Sequence, residues 1–170
     1  MLKNKFVISL GSNLGDREEY LNTAKKELSR AFRIVEESQI VESEAVDYEN
    51  QPNFLNQCIC LENTGNLSPH DTLKVCLEIE NNMGRKRLID KGPRVIDIDL
   101  LFFEKIECSD DQLTIPHPRL FERSFIVKPL SKLQVFKELK NIYTFKNEFP
   151  NNCWEFSKTP KIKPKSNLSP

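Results

Sequence analysis

The chain has no excess charge of either sign, no long apolar run and no paired cysteine motif. Its 25 basic and 25 acidic residues cancel, so no net field would attract nucleic acid. No apolar run approaches the roughly 18 residues of a membrane span, and the N-terminus lacks a signal-peptide pattern. The five cysteines, an odd number without a Cys-x-x-Cys pair, favour a reducing compartment. We therefore expect a cytoplasmic protein that binds neither nucleic acid nor membrane.

What the sequence does contain is a strand-like run, residues 92–103, with two carboxylates inside it. Asp97 and Asp99 would share one face of that strand, with Cα atoms roughly 6.5 to 7 Å apart. The same face would hold Val95, Leu101 and Phe103, and the other Ile96, Ile98, Leu100 and Phe102. Two like charges on a covered strand are costly unless a cation lies between them. Oxygen ligands without a nearby His or Cys indicate Mg²⁺ as that cation. The alternative is that the strand end is exposed and both carboxylates are solvated.

A cationic segment, residues 84–94, precedes this strand. It carries Arg85, Lys86, Arg87, Lys91 and Arg94 against one acid, Asp90. Guanidinium groups beside a pair of carboxylates would supply both halves of a polyphosphate site, the cations for phosphate and the ligands for metal. Phosphoryl-type transfer needs little more, because its catalysis is mostly positioning and charge stabilisation. The alternative is an ordinary solvated loop.

The order of the predicted elements indicates the fold. Strands are predicted at residues 5–10, 34–41, 56–61 and through the two carboxylates, with helices after Asp16 and from Ser68 to Gly84. A short segment at 112–115 and a last strand or extended run at 124–130 follow. This order is typical of a ferredoxin-like βαββαβ core with an antiparallel sheet, so we predict an α+β fold with appended elements. The glycines after the first strand lack the Lys-Ser or Lys-Thr of a P-loop.

The chain length suits a single domain, which we place at residues 1–156. Residues 134–152 have a pattern that allows a helix. Residues 157–170 contain four lysines and no acid and are rich in Pro and Ser. We expect this tail to be disordered.

Four segments resemble, in order, those of the 6-hydroxymethyl-7,8-dihydropterin pyrophosphokinase family. They are residues 7–16, residues 51–56, the Gly-Arg-x-Arg and Gly-Pro-Arg-Val-Ile-Asp-Ile-Asp sequences within 84–99, and residues 115–120 with Arg123 and Phe125. The resemblance covers about residues 5–130. It implies a monomeric enzyme of folate biosynthesis that transfers a diphosphate from ATP to the hydroxymethyl group of a pterin and releases AMP.

The resemblance also implies roles for individual residues. Arg85 and Arg94 would be catalytic, and Asp97 and Asp99 would hold two Mg²⁺ ions. The co-substrate ATP would be bound by Glu80, Arg87, Ile98, Thr114, His117 and Arg123, and the pterin by Ser43, Val46, Phe54, Asn56 and Phe125. Phe54 and Phe125 would cover the two faces of the pterin ring. The acidic segment 42–53 and the basic segment would close over the substrates as lids.

Some features leave alternatives open. Many family members carry Trp, Arg and Pro at the positions of Lys91, Gln112 and Glu44. These differences bear on how tightly the substrates are bound but not on which reaction is expected. No general base is evident, and His117 is better placed to donate a hydrogen bond to phosphate. A ferredoxin-like RNA-binding module would want aromatic residues where the two carboxylates lie. A catalytically inactive pterin or nucleotide sensor needs nearly the same residues as the enzyme.

Overall fold

The structure is a computed structural model that describes residues 1–86 and 89–158. Its main elements are β1 (Lys5–Ser12), α1 (Arg17–Leu28), β2 (Arg33–Glu37), β3 (Val41–Ser43), β4 (Phe54–Glu62), α2 (Pro69–Asn82) and β5 (Asp97–Phe103). After them come β6 (Cys108–Ser109), β7 (Thr114–Ile115), a 3₁₀ turn (Leu120–Glu122), α3 (Ser124–Leu130), α4 (Phe136–Leu139) and β8 (Cys153–Glu155). The predicted α+β order is confirmed, with additions at the C-terminal end.

The main sheet has the strand order β5-β1-β4-β3-β8, and β2 also pairs with β4. All of these pairs are antiparallel. Strands β5, β1, β4 and the β2–β3 segment reproduce the spatial order of a ferredoxin-like core, as predicted. Strand β5 lies at one edge of the sheet, so its outer backbone edge faces away from β1.

Apolar side chains pack in a layer on each face of the main sheet. Helices α1 and α2 cover one face, where Phe6, Ile8 and Leu10 of β1 pack with Leu21 and Leu28. The C-terminal elements cover part of the other face, packing on a set that includes Val7, Cys58, Cys60, Leu101 and Phe102. Because this second cover is incomplete, the remaining part of that face, near the start of β5, is open for a site.

The faces predicted for Val95, Phe102 and Phe103 are wrong. Val95 lies before β5 begins and packs on the helix-covered face. A register shift opposite Val7 and Ile8 leaves Leu101 as an extra residue in β5. A bulge of this kind reverses the alternation of side chains beyond it. Phe102 therefore packs with Leu101 on the second face, and Phe103 packs on the helix-covered face. The two carboxylates precede the bulge, so their shared face is as predicted.

The expected strand or extended run at residues 124–130 is also wrong, since Ser124–Leu130 forms helix α3. The β-branched Ile126 and Val127 favour a strand locally. Burial against the second face decides otherwise, and Asn151 Oδ1 accepts hydrogen bonds from the Ser124 backbone N–H (3.0 Å) and hydroxyl (2.7 Å). That acceptor satisfies a first-turn donor from 27 residues away, where a local pattern could not indicate it.

Other boundaries differ in smaller ways. The single strand predicted at 34–41 is two strands, β2 and β3, and the acidic segment becomes a loop only after Ser43. The helix allowed at 134–152 is the single turn α4, and β8 extends the sheet beyond β3. Lys158, at the start of the predicted disordered tail, pairs with Glu18 at 3.0 Å. Residues 159–170 lie outside the described residues, so that prediction is not tested over most of its length.

The predicted helix starts are confirmed. Asp16 accepts a hydrogen bond from the Glu19 N–H at the start of α1, and Ser68 accepts one from the Asp71 N–H at the start of α2. Gly84, with φ +86°, follows the end of α2, in a conformation that glycine adopts without strain. Over 1–86 and 89–158, no helix has the length and apolar character needed to cross a membrane.

Candidate active site

A cavity of about 780 Å³ lies on the open part of the sheet and continues around the free edge of β5. Its floor comes from β1, β4 and β5, and its walls from the loops after β3, α2 and β7. Every predicted site residue lines it except Arg87, which lies outside the described residues. Glu44, Lys91 and Gln112, the three departures from the family pattern, line it too.

The strand register arranges the floor of the cavity. Gly11 of β1 is opposite Asp97 of β5 on one side and Asn56 of β4 on the other, and Ser9 is opposite Asp99. Directly opposed residues share a face, so these groups form one polar patch. A Cβ on Gly11 would lie 3.2 Å from Asn56 Oδ1. Glycine therefore lets the carboxylate and amide side chains approach each other across β1.

Ion pairs hold Asp97 between the two predicted catalytic arginines. Arg85 Nη1 lies 2.7 Å from Asp97 Oδ1 and 2.5 Å from Glu80 Oε2, and Arg94 Nη2 lies 3.2 Å from Asp97 Oδ2. Glu80 is only 3% exposed, and its other oxygen accepts a hydrogen bond from the Ile98 backbone N–H at 2.7 Å. Glu80 thus faces the site and also fixes the edge of β5.

Asp99 has a different environment from Asp97. Among the described residues, none forms an ion pair with its carboxylate. Burial, and secondly the negative charge of Asp97, raise the pKa of Asp99 to about 7. A carboxyl group with a pKa near neutrality, beside a second carboxylate at the wall of a cavity, is typical of a functional site.

The two carboxylates fit a hard divalent cation. Both are oxygen donors on one strand face, and Asp99 forms no ion pair with the described side chains. With these two carboxylates, the lining has six acidic side chains in all, and five basic ones. Such a lining would not by itself favour a bare polyphosphate anion, but it suits a polyphosphate that carries divalent cations with it.

The arginine side chains of the cavity keep unused hydrogen-bonding capacity. The Nε atoms of Arg85, Arg94 and Arg123 are buried and have no hydrogen-bond partner in the part of the chain that is described. Leaving such a donor unsatisfied costs free energy. Reorientation of these guanidinium groups toward an anionic ligand would recover it.

His117 is oriented as a neutral donor. Burial, together with the positive charge of Arg123, lowers its pKa, so the imidazole is uncharged at neutral pH. Its Nδ1 accepts the Arg119 backbone N–H at 3.3 Å, which assigns the remaining proton to Nε2. A neutral imidazole with Nε2–H directed away from its own loop can donate to a phosphate oxygen.

Aromatic and amide groups adjoin the carboxylates and arginines in the same cavity. The guanidinium carbon of Arg94 lies over the Phe54 ring, 4.9 Å from the ring centroid. The guanidinium carbon of Arg123 lies 5.8 Å from the centroid of the Phe125 ring. Asn56 Nδ2 donates to Ser43 Oγ at 3.0 Å. This leaves the amide oxygen of Asn56 directed toward Gly11. Two rings, one amide and the Val46 loop form a wall suited to a flat heteroaromatic molecule.

Asn13 joins the two loops above the cavity, and sequence reasoning missed this role. Its Nδ2 donates to Gln51 Oε1 and to the Pro52 carbonyl, both at 3.0 Å, and its Oδ1 accepts the Arg94 backbone N–H at 2.9 Å. The residue lies in the segment 7–16 that carried the resemblance. Asparagine is common in turns, and that local signal indicates no contact with distant loops.

A second missed feature is the ion-pair group of Asp47. In the loop after β3, this carboxylate lies 2.8 Å from Arg119, 3.7 Å from Arg123 and 3.9 Å from Lys91. Burial alone would raise the pKa of Asp47, but the hydrogen bond and charge of Arg119, with the other two cations, lower it. The acidic loop therefore contacts Lys91 of the basic segment and, across the cavity mouth, Arg119 and Arg123 of the segment that follows β7. Only the charge of the loop was visible in the sequence.

The fold and this cavity define an enzyme class, a transferase that acts on a nucleotide polyphosphate and a flat ring compound. The chain matches the family model for 7,8-dihydro-6-hydroxymethylpterin-pyrophosphokinase (HPPK) over residues 7–135. The chain belongs to this family, and it is an ATP-dependent diphosphotransferase of folate biosynthesis.

The names of individual relatives agree with this family assignment. The chain is 39% identical over 147 residues to the 2-amino-4-hydroxy-6-hydroxymethyldihydropteridine pyrophosphokinase of Bacillus subtilis, a match that covers 84% of this chain and 87% of that protein. It is also 39% identical to the folic acid synthesis protein fol1 of Schizosaccharomyces pombe, with 84% of this chain but 19% of that protein covered. A crystal structure of Plasmodium falciparum HPPK-DHPS superposes with a TM-score of 0.60 at 17% identity, over 76% of this chain and 41% of that one. That likeness shows the fold alone.

Proposed function

We propose that this chain transfers the diphosphate of ATP to the hydroxymethyl group of 6-hydroxymethyl-7,8-dihydropterin in the cavity described above, giving AMP and the pterin diphosphate. The observation that carries the proposal is that Asp97, Asp99, Arg85 and Arg94 line the same cavity as Phe54 and Asn56, with only Gly11 between Asp97 and Asn56 across the sheet. The family match and the Bacillus subtilis relative support the reaction.

Asp97 and Asp99 would hold Mg²⁺, with two ions expected. When bound, such ions withdraw charge from the phosphate groups and orient them for in-line attack. The pair of carboxylates supplies hard oxygen ligands, and its cost in the ligand-free protein is consistent with a cation-binding function. Each oxygen of Asp97 already contacts an arginine, so metal binding there would compete with these two ion pairs.

Arg85 and Arg94 would bind the phosphate groups of ATP in place of Asp97. Their guanidinium groups already lie beside the carboxylates, so a change of partner requires rotation of side chains rather than movement of the backbone. Donors placed where charge develops in the transition state lower its free energy more than that of the bound substrate. These two arginines are therefore proposed as the catalytic residues, and no general base is assigned.

The remaining ATP groups would bind along the free edge of β5. Leu73 and Leu77 of α2 line the cavity there with Ile98, and they offer an apolar slot beside edge backbone groups for the adenine ring. Thr114, His117 and Arg123 lie on the opposite wall, where His117 Nε2–H and the Arg123 guanidinium would donate to phosphate oxygens. Glu80 would bind indirectly by positioning Ile98 and Arg85.

The pterin would lie between Phe54 and Phe125. The amide of Asn56 would read one edge of the ring, and the backbone around Ser43 and Val46 the other. The Asp47 ion pairs would then hold the loop closed over the ring and exclude water. Water would otherwise compete with the pterin alcohol as the acceptor of the diphosphate.

A direct assay tests this function. The protein is incubated with Mg-ATP and 6-hydroxymethyl-7,8-dihydropterin, and the products are identified by mass spectrometry. AMP and the pterin diphosphate are expected, and neither should form in EDTA. Asp97→Ala should abolish both, while the matched change Asp111→Ala, at an exposed acid, should leave the rate unchanged. Binding of both ligands without product would indicate a sensor, and binding of neither would refute the assignment.

A further inference from the structure

A second group of metal-ligating side chains lies outside the cavity. His70 is in the first turn of α2, Cys108 is in β6, and Asp110 is in the turn between β6 and β7. One ligand atom from each lies within 4.8 Å of the other two. The pairs are close, with 2.7 Å between His70 Nε2 and Asp110 Oδ2, and 3.7 Å between Cys108 Sγ and the same oxygen. Ligands of one tetrahedral Zn²⁺ lie about 3 to 4 Å apart, so small shifts would accommodate an ion.

We propose that His70, Cys108 and Asp110 form a binding site for Zn²⁺ or a similar transition-metal ion, with water as the fourth ligand. The donor set determines the class of metal. Imidazole and thiolate are borderline and soft ligands that Mg²⁺ and Ca²⁺ do not select, whereas Zn²⁺ and Co²⁺ bind both together with carboxylate. This site is independent of the reaction proposed above.

The local structure positions the carboxylate before any ion binds. Asp110 Oδ1 accepts the backbone N–H groups of Gln112 (2.8 Å) and Leu113 (2.9 Å). That arrangement fixes the side chain and leaves Oδ2 directed at His70 and Cys108. Second-shell hydrogen bonds of this kind orient metal ligands and reduce the entropy lost on binding.

The protonation states allow a balanced binding step. Hydrogen bonds from Gln112 and Leu113, and then from His70, lower the pKa of Asp110 to about 2, so this ligand is anionic. Burial and the neighbouring Asp110 raise the pKa of Cys108, so its sulfur starts as a thiol. Binding forms a metal–sulfur bond with loss of the S–H proton, and a metal–Nε2 bond with transfer of the Nε2 proton through solvent to Nδ1, so that one proton is released in all.

Metal at this position would connect α2 to the β6–β7 hairpin, which continues into the wall of the cavity. His70 belongs to the helix that carries Glu80, and Thr114 in β7 lines the cavity. The proposed ion would thus brace two elements of the nucleotide side without touching the substrates.

Titration of the full chain with Co²⁺, in excess Mg²⁺ to occupy the carboxylate pair, tests the site. One equivalent should bind with a thiolate-to-cobalt charge-transfer band, and Zn²⁺ should displace it. His70→Ala and Cys108→Ser should each weaken binding by about tenfold or more. Cys153→Ser, at another partly exposed cysteine, and Asp111→Asn should bind as the wild type does.

Thermal unfolding supplies a second readout. Without metal, the His70→Ala and Cys108→Ser variants should unfold at the wild-type temperature, since both positions are at least partly exposed. Zn²⁺ should raise the unfolding temperature of the wild type but not of these variants, because only a ligand that binds the native state stabilises it. Absence of the charge-transfer band, or its persistence in Cys108→Ser, would overturn the proposal.

Discussion

Replacement of Asp99 by Asn should stabilise the ligand-free protein, and the gain should increase with pH. The carboxylate is held in a partly buried position beside Asp97, with no ion-pair partner among the described side chains. Asparagine has nearly the same shape and is neutral at every pH. The substitution therefore removes the cost of ionising this group inside the protein and leaves the packing unchanged.

The magnitude follows from the pKa of Asp99. Its ordinary value of 3.8 is raised to about 7 in the folded chain, so the native state holds the proton more tightly than the unfolded state does. The corresponding stability is complete below about pH 4 and is lost as pH rises through about 7. The slope is about 1.4 kcal/mol per pH unit between the two pKa values and falls to half of that at pH 7, so the cost grows by about 2 kcal/mol between pH 5 and pH 7. Because the side chain is partly accessible to solvent, we expect a gain of about 1 to 3 kcal/mol.

Urea denaturation at pH 5 and at pH 8 measures this difference. The free energy of unfolding of Asp99→Asn should exceed that of the wild type more at pH 8 than at pH 5, while the surface control Asp111→Asn should show no such trend. Mg²⁺ supplied together with ATP should narrow the difference at pH 8, since only the wild type keeps both carboxylates. A difference that is equal at both pH values, or that favours the wild type, would refute the reasoning.

Three further predictions concern catalysis and the loops. Arg94→Ala should lower kcat by about a hundredfold or more while changing pterin affinity much less; steady-state kinetics with Arg30→Ala as control decide this, and a pure binding defect would contradict it. Gly11→Ala puts a Cβ 3.2 Å from Asn56 Oδ1 and should raise KM for the pterin more than KM for ATP; equal effects would disprove the floor assignment. Asn13→Ala breaks three side-chain hydrogen bonds and should cost about 1 to 3 kcal/mol in thermal unfolding and slow turnover, so an unchanged rate would show that the loops close without it.

Much of the site could be predicted because its chemistry is concentrated in short segments. The spacing of Asp97 and Asp99 is set by strand geometry alone, and the caps at Asp16 and Ser68 involve residues three positions apart. Such local signals are independent of tertiary contacts, so the sequence pattern is sufficient to find them.

What the sequence did not indicate depends on contacts between distant segments. The bulge at Leu101 results from the pairing of β5 with β1, and helix α3 depends on Asn151 for its first-turn acceptor. Asn13 contacts Gln51, 38 residues away, and Arg94, 81 residues away. No periodicity records such a pairing, and local propensity was overridden by burial at α3.

In the ligand-free protein, the charged side chains that the proposed reaction requires pair with one another. Arg85 and Arg94 neutralise Asp97, so the metal ligand and the phosphate ligands satisfy one another until substrate arrives. A bare nucleotide would draw the arginines away from Asp97 and leave its charge uncompensated, and a bare cation would bind against the repulsion of two guanidinium groups. A nucleotide that brings divalent cations satisfies both sets at once. Binding of Mg²⁺ and of ATP should therefore be strongly coupled, and each should bind far more weakly when the other is withheld.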